Sequence, residues 1–421
     1  MLPTTCYSFI PPGLPAADHR RPGTPEAVPP PEFIQRRQKT LMNITIERAA
    51  LLRSLAHVQS VVERRTTIPV LSNVLLKASG SSLALAATDM DVEIVEDVPA
   101  EVARAGSTTA PAHTLYDIVR KLPDGAQVEL DCGGDSSLLV LRSGRSQFKL
   151  GCLPVDDFPQ LTGGNLKHRF ELTAADLRSL IDRTRFAIST EETRYYLNGI
   201  YIHASRTVTG TGPNAADLPV LRAVATDGHR LARIEVPLPE GASTMPGVII
   251  PRKTVNEIRK LIDEAAARIE ISLSETKIRF RFDAITVISK LIDGTFPDYE
   301  RVIPVGNDKI LEVRAKPFAA SVDRVSTIST EKSRAIKLSL NRDNLTLSAT
   351  SPEAGSATEE LEVKYGGPPL EIGFNSRYLL DVIQQIGGDE ARFIIADAAA
   401  PSIVRDTADG GSLYVLMPMR V

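Results

Sequence analysis

The chain has 421 residues, is 43% hydrophobic and carries a formal charge of −3, so it can bury several cores and is not a uniformly basic nucleic-acid binder. Its cysteines, Cys6, Cys132 and Cys152, form no close pair in sequence, which excludes a zinc-finger spacing or disulfide framework and points to a reducing, cytoplasmic setting. No apolar run reaches bilayer length, and no P-loop, zinc or nucleophile-elbow motif calls for a metal or cofactor.

Residues 1–41 are crowded with proline, lack periodicity and lack the apolar core of a secretory signal. They read as a disordered arm or as sequence upstream of a biological start at Met42. Beyond Met42 the order is strand, helix, strands, helix, strands. Ile44–Ile46 is a short strand, and Arg48–Val61 is a helix with Leu51, Leu52, Leu55 and Val58 on one face. Strands follow at Val74–Lys77, Leu83–Ala87 and Val92–Val95. Pro111 precedes a second helix, Thr114–Leu122, which ends at the turn Pro123-Asp124-Gly125. Val128–Cys132, Leu138–Arg142 and Gln147–Gly151 complete the set with alternating strands.

That order recurs. An alternating strand ending in Ala-Thr appears as Leu83–Asp89, Leu221–Asp227 and Leu345–Ser351. The helix before it repeats as Leu177/Leu180/Ile181 and Phe318/Val322/Val325; the helix after it carries Leu115/Ile118/Leu122, then Val255/Ile258/Ile262, then Leu379/Val382/Ile386. Leu52-Arg53-Ser54-Leu55 returns as Leu177–Leu180, Ile188–Glu191 as Ile328–Glu331, and Phe158-Pro159 as Phe296-Pro297. Offsets of about 125 to 140 residues are domain-sized, so each copy holds its own core. The chain is one domain written three times, with boundaries at 42–163, 168–298 and 306–421. An insertion at Thr209–Leu218 reads as a solvent loop, and its Gly210–Gly212 fragment lacks the rest of a dinucleotide fingerprint. Helices on one side of mostly antiparallel sheets give an α+β class, and three units in a row suggest an arc that closes by dimerisation.

From Met42 to Val421 the chain resembles the β subunit of bacterial DNA polymerase III, the sliding clamp. The resemblance is carried by Ile68–Leu76 (IPVLSNVLL), Arg194–Ile200 (RYYLNGI), Ala225–Ala232 (ATDGHRLA), Ile249–Lys253 (IIPRK), Ser289–Pro304 and the terminal Met417–Val421 (MPMRV). It implies a head-to-tail homodimeric ring of three-domain subunits around double-stranded DNA, with helices lining the hole and sheets on the rim. The implied partners are a clamp loader, the DNA polymerase III alpha subunit and other clamp-binding-motif proteins, with no membrane and no catalysis.

A ring retains duplex by closure, so a modest, sequence-independent basic lining suffices. The lining helices carry Arg48 and Arg53; Arg120 and Lys121; Arg178, Arg183 and Arg185; Arg252, Lys253, Arg259 and Lys260; and Lys316 and Arg324. Any one of these is most simply a solvated helix residue; the summed excess over acids favours a DNA-facing surface. The resemblance implies DNA contact at Arg53, Arg65, Arg194, Tyr195, Tyr196, Arg252 and Lys253. Two positions depart from it: His113-Thr114 replace a basic pair found in some relatives, and Glu191 replaces a glutamine, so both weaken the local attraction.

The second implied element is a groove for short linear peptides, which needs apolar pockets and adaptable side chains. It would join the C-terminal Val415, Leu416, Met417, Pro418, Met419 and Arg420 to Leu197, Thr226, Gly228, His229, Arg230, Leu231, Pro297, Arg301 and Val302. From composition alone, Met-Pro-Met is a strand end and Asp227-Gly228-His229 a turn. An enzyme using Asp227 to orient His229 as a base finds no nucleophile or metal motif nearby, and a duplicated structural protein is the remaining alternative. For the subunit contact, the resemblance points to the edge strand Gln147, Phe148, Lys149 and Leu150 meeting Thr327 and Ile328 of a second copy.

Overall fold

The computed structural model describes residues 41–133, 137–209, 216–263, 268–329 and 334–420. The expected N-terminal arm lies outside the described residues, as do 210–215 of the insertion and 330–333 of the repeated Ile-Ser-Thr-Glu segment.

Six successive units each run strand, helix, three strands. The first holds β1 (Met42–Glu47), α1 (Arg48–Val58), β2 (Asn73–Ser79), β3 (Ser82–Thr88) and β4 (Val92–Pro99), followed by a short β5 (Glu101–Arg104). The second holds β6 (Gly106–Pro111), α2 (Ala112–Lys121), β7 (Gln127–Cys132), β8 (Leu138–Ser143) and β9 (Ser146–Gly151). The third holds β10 (His168–Thr173), α3 (Ala174–Asp182), β11 (Gly199–Thr209), β12 (Ala216–Thr226) and β13 (Arg230–Pro237). The fourth holds β14 (Val248–Pro251), α4 (Arg252–Ile262), β15 (Arg268–Leu273), β16 (Lys277–Phe282) and β17 (Ile285–Lys290). The fifth holds β18 (Lys309–Arg314), α5 (Ala315–Ser326), β19 (Ala335–Asn341), β20 (Asn344–Ser351) and β21 (Gly355–Glu362), with β22 (Lys364–Tyr365) appended. The sixth holds β23 (Leu370–Asn375), α6 (Ser376–Ile383), β24 (Glu390–Ile395), β25 (Ser402–Asp406) and β26 (Ser412–Leu416).

Local patterning explains most of these elements. In β1, Met42, Ile44 and Ile46 are buried while their neighbours are not, the period of a half-buried strand. In α1, Leu51, Leu55 and Val58 fall on one buried stripe. Thr173 Oγ1 accepts the Asp176 N–H at 3.0 Å to start α3, and Asn375 caps α6 in the same way. The first helix stops at Val58 rather than at the expected Val61, because tight turns at Val61 and Val62 carry both side chains back into the core. Two strands without an apolar alternation, β5 and β6, were not anticipated; each forms the end of a sheet, β5 largely exposed and β6 burying Thr108, Thr109 and Ala110 as a run rather than in alternation. Ala216–Leu218, expected in a loop, extend β12 as an exposed ribbon paired with β11 as far as Thr209 opposite Ala216.

The strands form four sheets, all of antiparallel pairs. Two are confined to the chain ends: β5-β1-β7-β8-β9 and β21-β20-β19-β23. The other two cross between copies of the repeat. In β10-β15-β16-β17-β4-β3-β2-β6 the first and second copies join at β4–β17, and in β14-β11-β12-β13-β26-β25-β24-β18-β22 the second and third join at β13–β26. Helices pack in pairs within each copy, α1 on α2, α3 on α4 and α5 on α6, over one continuous apolar core. Among the described residues no helix is long and apolar enough to cross a membrane.

Cys132 and Cys152, remote in sequence, meet where β7 and β9 end, and the Cys152 thiol hydrogen-bonds Cys132. That bond favours the Cys132 thiolate and draws it down to about 6, while the same bond and burial push Cys152 up.

Candidate functional site

The nine-stranded sheet carries apolar side chains on both faces. One face faces the main core; the other bears Val224, Leu231, Ile249, Ile403, Leu413 and Val415, with Leu197 beside them. The segment after β17 folds over this second patch, laying down Phe296, Tyr299 and the half-buried Ile292 and Ile303. Its position is fixed by Phe296 stacked on Tyr201 at 4.8 Å, and by the Tyr299 hydroxyl, which meets His203 Nε2 at 3.0 Å and accepts from Arg222 at 2.9 Å. Arg222 is itself 3% exposed and donates also to Glu235 at 2.8 Å and Glu300 at 2.7 Å. Burial opposes its charge, but these bonds outweigh burial and hold the guanidinium above its ordinary value.

Around this patch the structure gathers the groove residues. Leu231 pairs with Val415 and Arg230 with Leu416 across β13–β26. The Met417 N–H donates to His229 O at 3.0 Å and that of Met419 to Gly373 O at 2.8 Å, so the C-terminal segment is pinned beside the Asp-Gly-His turn. Leu197, Leu231 and Val415 are buried and form the floor, whereas Leu416, expected in the groove, packs into the main core because strand alternation turns it to the sheet's other face; Gly228, His229, Pro297, Arg301, Val302, Met417 and Arg420 are exposed, with Thr226, Pro418 and Met419 between. Arg230 is drawn elsewhere. Its guanidinium is 8% exposed and donates to Asp227 at 3.1 Å, Asp381 at 2.5 Å and Phe186 O at 2.6 Å, lying 4.4 Å from the Tyr378 ring. It closes the junction between the second and third copies. Asp227 Oδ1 accepts the N–H groups of His229 and Arg230, and the His229 ring stacks on Tyr378, so this carboxylate serves the turn and the arginine.

The Arg-Tyr-Tyr motif borders the same turn. It forms a 3-10 segment, Glu192–Leu197, with Tyr195 52% exposed and edge-on to Tyr196 at 5.7 Å. Arg194 lies under Gly228, whose φ is +89° and where a β-carbon would come within 2.6 Å of Arg194 Nη1. The positive φ favours glycine here, while the Arg194 tip could swing aside from a β-carbon. Glu191 takes Arg194 in a two-bond fork at 2.8 and 2.6 Å, which raises the guanidinium and neutralises part of its field.

Several lining cations are likewise occupied. Arg48 is turned inward, 12% exposed, pairing with Asp124 and donating to Val119 O at 3.1 Å and Arg120 O at 2.7 Å; it caps α2 and does not line a surface. Lys253 pairs with Asp89 and reaches Glu63 at 3.2 Å; burial alone would lower its ammonium, but these acids hold it above the ordinary lysine value. Arg178 pairs with Asp263 at 2.6 Å, Arg259 with Asp182 and Asp263, Arg183 with Asp409, Arg185 with Asp182, Arg120 with Asp117, Lys260 with Glu257 and Arg324 with Glu359. Arg53, Arg65, Lys121, Arg252 and Lys316 are exposed and make no ion pair among the described residues. Some of these acids sit on the cation's own helix, as Asp117 and Glu257 do, and others, such as Asp124, Asp89, Asp409 and Glu359, are brought in from other elements.

Of the subunit-contact candidates, Gln147–Leu150 lie on β9, an end strand of its sheet, while Thr327 and Ile328 lie in the turn after α5. Gln147 and Lys149 are exposed on β9, Phe148 is half-buried and Leu150 buried. Thr327 and Ile328 follow α5, exposed and half-buried. Sequence reasoning placed Pro297, Arg301 and Val302 of the covering segment in the groove but missed Ile292, Tyr299 and Ile303 beside them, and missed Tyr378 and Asp381 of α6. The repeated Phe-Pro at Phe296-Pro297 was the available signal for the first; nothing local marked the second.

Three family profiles cover this architecture: DNA polymerase III beta subunit, N-terminal domain, at residues 42–162; central domain, at 171–298; and C-terminal domain, at 300–420. The chain is 55% identical to the beta sliding clamp of Caulobacter vibrioides over 380 residues, 90% of this chain and all of that one. It is 35% identical to that of Escherichia coli K12 over 381 residues, again 90% of this chain and all of the relative. Among solved structures, a C. crescentus beta sliding clamp superposes with a TM-score of 0.86 at 54% identity, covering 91% of this chain and 100% of that chain. A Bartonella birtlesii sliding clamp bound to griselimycin superposes with a TM-score of 0.85 at 50% identity, covering 90% and 100%. The chain belongs to the DNA polymerase III beta-subunit family, the beta sliding clamps.

Proposed function

We propose that two copies of this chain join head to tail into a ring around duplex DNA, tethering the replicative polymerase in the cytoplasm and catalysing nothing themselves. The observation that carries this reading is the rule of sheet continuity. Each internal junction joins the last strand of one unit to the last strand of another, β4 to β17 and β13 to β26. The same rule leaves β9 and β21 as mates between subunits, giving three domains per copy (42–163, 168–298, 306–421) and six around the hole. Ser289 stands opposite Val92, and Leu416 opposite Arg230. Carrying that register over the β8–β9 hairpin sets Leu150 opposite Gly355 and Phe148 opposite Ala357 of the partner, with Phe148 near Thr327 and Ile328.

Arg53, Arg65, Tyr195, Tyr196 and Arg252 supply the surface that eases the duplex through, with Arg194 and Lys253 contributing less while their acids hold them. The groove at the C-terminal segment takes linear peptides from the polymerase alpha subunit, the clamp loader and other clamp-binding-motif proteins. Loading on nicked circular DNA with a clamp loader, followed by linearisation, tests the reading. Encirclement requires release from the cut form; retention on linear DNA refutes it.

A further inference from the structure

Cys132 and Cys152 occupy positions that the repeat fills differently elsewhere. Cys132, Leu273 and Ile395 each end the strand after the second helix of their copy, opposite Met42, His168 and Lys309. Thr108, Val248 and Ile372 each stand three residues before the last of β6, β14 and β23. Cys152 and Leu291 each follow a hairpin and donate their N–H back across it, to Ser137 O at 2.7 Å and Thr276 O at 2.9 Å. The corner built from Val248, Leu273 and Leu291 in the second copy is therefore Thr108, Cys132 and Cys152 in the first.

Packing does not ask for sulfur at this corner. Val248, Leu273 and Leu291 are buried and close theirs with hydrocarbon alone. The first copy gives up a branched side chain at both cysteine positions and gains two thiols in contact. The Thr108 hydroxyl lies 3.7 Å from Cys132 Sγ, and Cys152 Sγ lies 3.8 Å from the Leu150 carbonyl on β9. Cys132 is buried, whereas Cys152 is half-buried and reachable from solvent.

We propose that Cys132 and Cys152 form a reversible disulfide site, oxidised by peroxide and reduced by small thiols, that staples the β8–β9 hairpin to the end of β7. The chemistry needs a thiolate, a second thiol beside it and access for the oxidant. The hydrogen bond between the sulfurs favours one thiolate, and moving the shared proton along it places the charge on the reachable Cys152. That sulfur attacks peroxide: an S–O bond forms, the O–O bond breaks, and hydroxide leaves with the electron pair and takes up a proton. Cys132 then attacks the Cys152 sulfenic acid, forming the S–S bond and releasing water that carries the Cys132 proton. The balance is two thiols and one peroxide to one disulfide and two waters, with two electrons passing from sulfur to oxygen. Two equivalents of a small thiol such as glutathione reverse it and end as their own disulfide. The cross-link closes a loop that contains β8 and β9, so the state of the thiols is expressed in the rigidity of an end strand. The site stands whether or not two copies of the chain join.

The test treats the folded chain with hydrogen peroxide, quenches it with an alkylating reagent and maps its peptides by mass. Cys132 and Cys152 should appear as one cross-linked pair lacking two hydrogens, and glutathione should return both to free thiols. Cys6 lies outside the described residues, and the mapping separates it. Hydrogen exchange at Leu139, Leu141 and Leu150, in phase with the Cys152–Ser137 bond, should slow by about tenfold in the oxidised protein. The C132L/C152L variant restores the leucines of the second copy and should show no slowing; if it misfolds, Cys152→Ala replaces it. Thiols alkylated as fully after peroxide as before, or Cys152 carried to sulfinic acid without a cross-link, overturn the proposal. A cross-linked protein that exchanges like the reduced one overturns it too, as does a slowing that persists in the variant.

Discussion

Replacing Arg230 with methionine should loosen the β13–β26 junction while keeping the stem that fills the space. In the native chain the guanidinium holds Asp227 at 3.1 Å, Asp381 at 2.5 Å and the Phe186 carbonyl at 2.6 Å, and faces Tyr378 and Phe186 at 4.4 and 5.0 Å. The substitution leaves two carboxylates and a carbonyl without their donor. Breaking a fully buried pair costs about 3–5 kcal/mol, and the lower end applies because the Asp227 and Asp381 side chains keep 17% and 26% exposure. A loss of about 3 kcal/mol corresponds to roughly a hundredfold gain in local opening. Hydrogen exchange reads this directly at Leu231, Arg233, Leu413 and Val415, which pair across the junction in phase with the Met417–His229 and Glu235–Gly411 bonds. Arg301→Met is the control: its side chain is 84% exposed and paired only with Asp298, so it should change little. Exchange within about threefold of wild type in the Arg230 variant would refute the reading that Arg230 holds the junction closed, since that is under 1 kcal/mol.

Deleting Met417–Val421 should abolish binding of a polymerase-derived peptide in a fluorescence polarisation titration while the dimer mass is kept, because Met417 is the strand's link to His229; full affinity would remove the groove assignment. Glu191→Gln should free Arg194, tightening duplex binding at low salt and steepening the log–log salt dependence by about one unit, with an unchanged slope placing Arg194 away from DNA. Phe148→Asp should yield monomers by light scattering, and an intact dimer would show that β9 is not the contact. Burial raises Glu93 from 4.5 to about 7, against the Leu161 N–H bond and Lys277 that favour its charge. The folded chain thus holds this proton more tightly than the unfolded chain, and stability falls as pH rises from 4.5 toward 7. Glu93→Gln should flatten the melting temperature across that window, and an identical slope in both proteins would count against the buried acid.

Strand and helix identity, the count of copies and the family were legible in the chain itself. Period-two alternation in Met42–Glu47 and the Leu51/Leu55/Val58 stripe express local constraints, since side-chain direction follows from backbone geometry within a few residues. Duplication repeats such patterns, so the Ala-Thr strands could be aligned without knowing where they pack. Polar edge strands such as Glu101–Arg104 escaped, because a strand with a single neighbour needs no apolar face.

Tertiary structure decided which charges remain available. Arg48, Arg194 and Lys253 look alike in sequence as cations on or beside helices, yet Asp124, Glu191 and Asp89 engage them. Two of those acids lie far along the chain, and the third is brought round only by the 3-10 turn. It also decided that the second and third copies share a sheet, so that the groove floor needs Leu231 from one and Val415 from the other. Electrostatic and apolar partners are chosen through space, and an Asp at 89 acquires its meaning only when folding sets Lys253 against it.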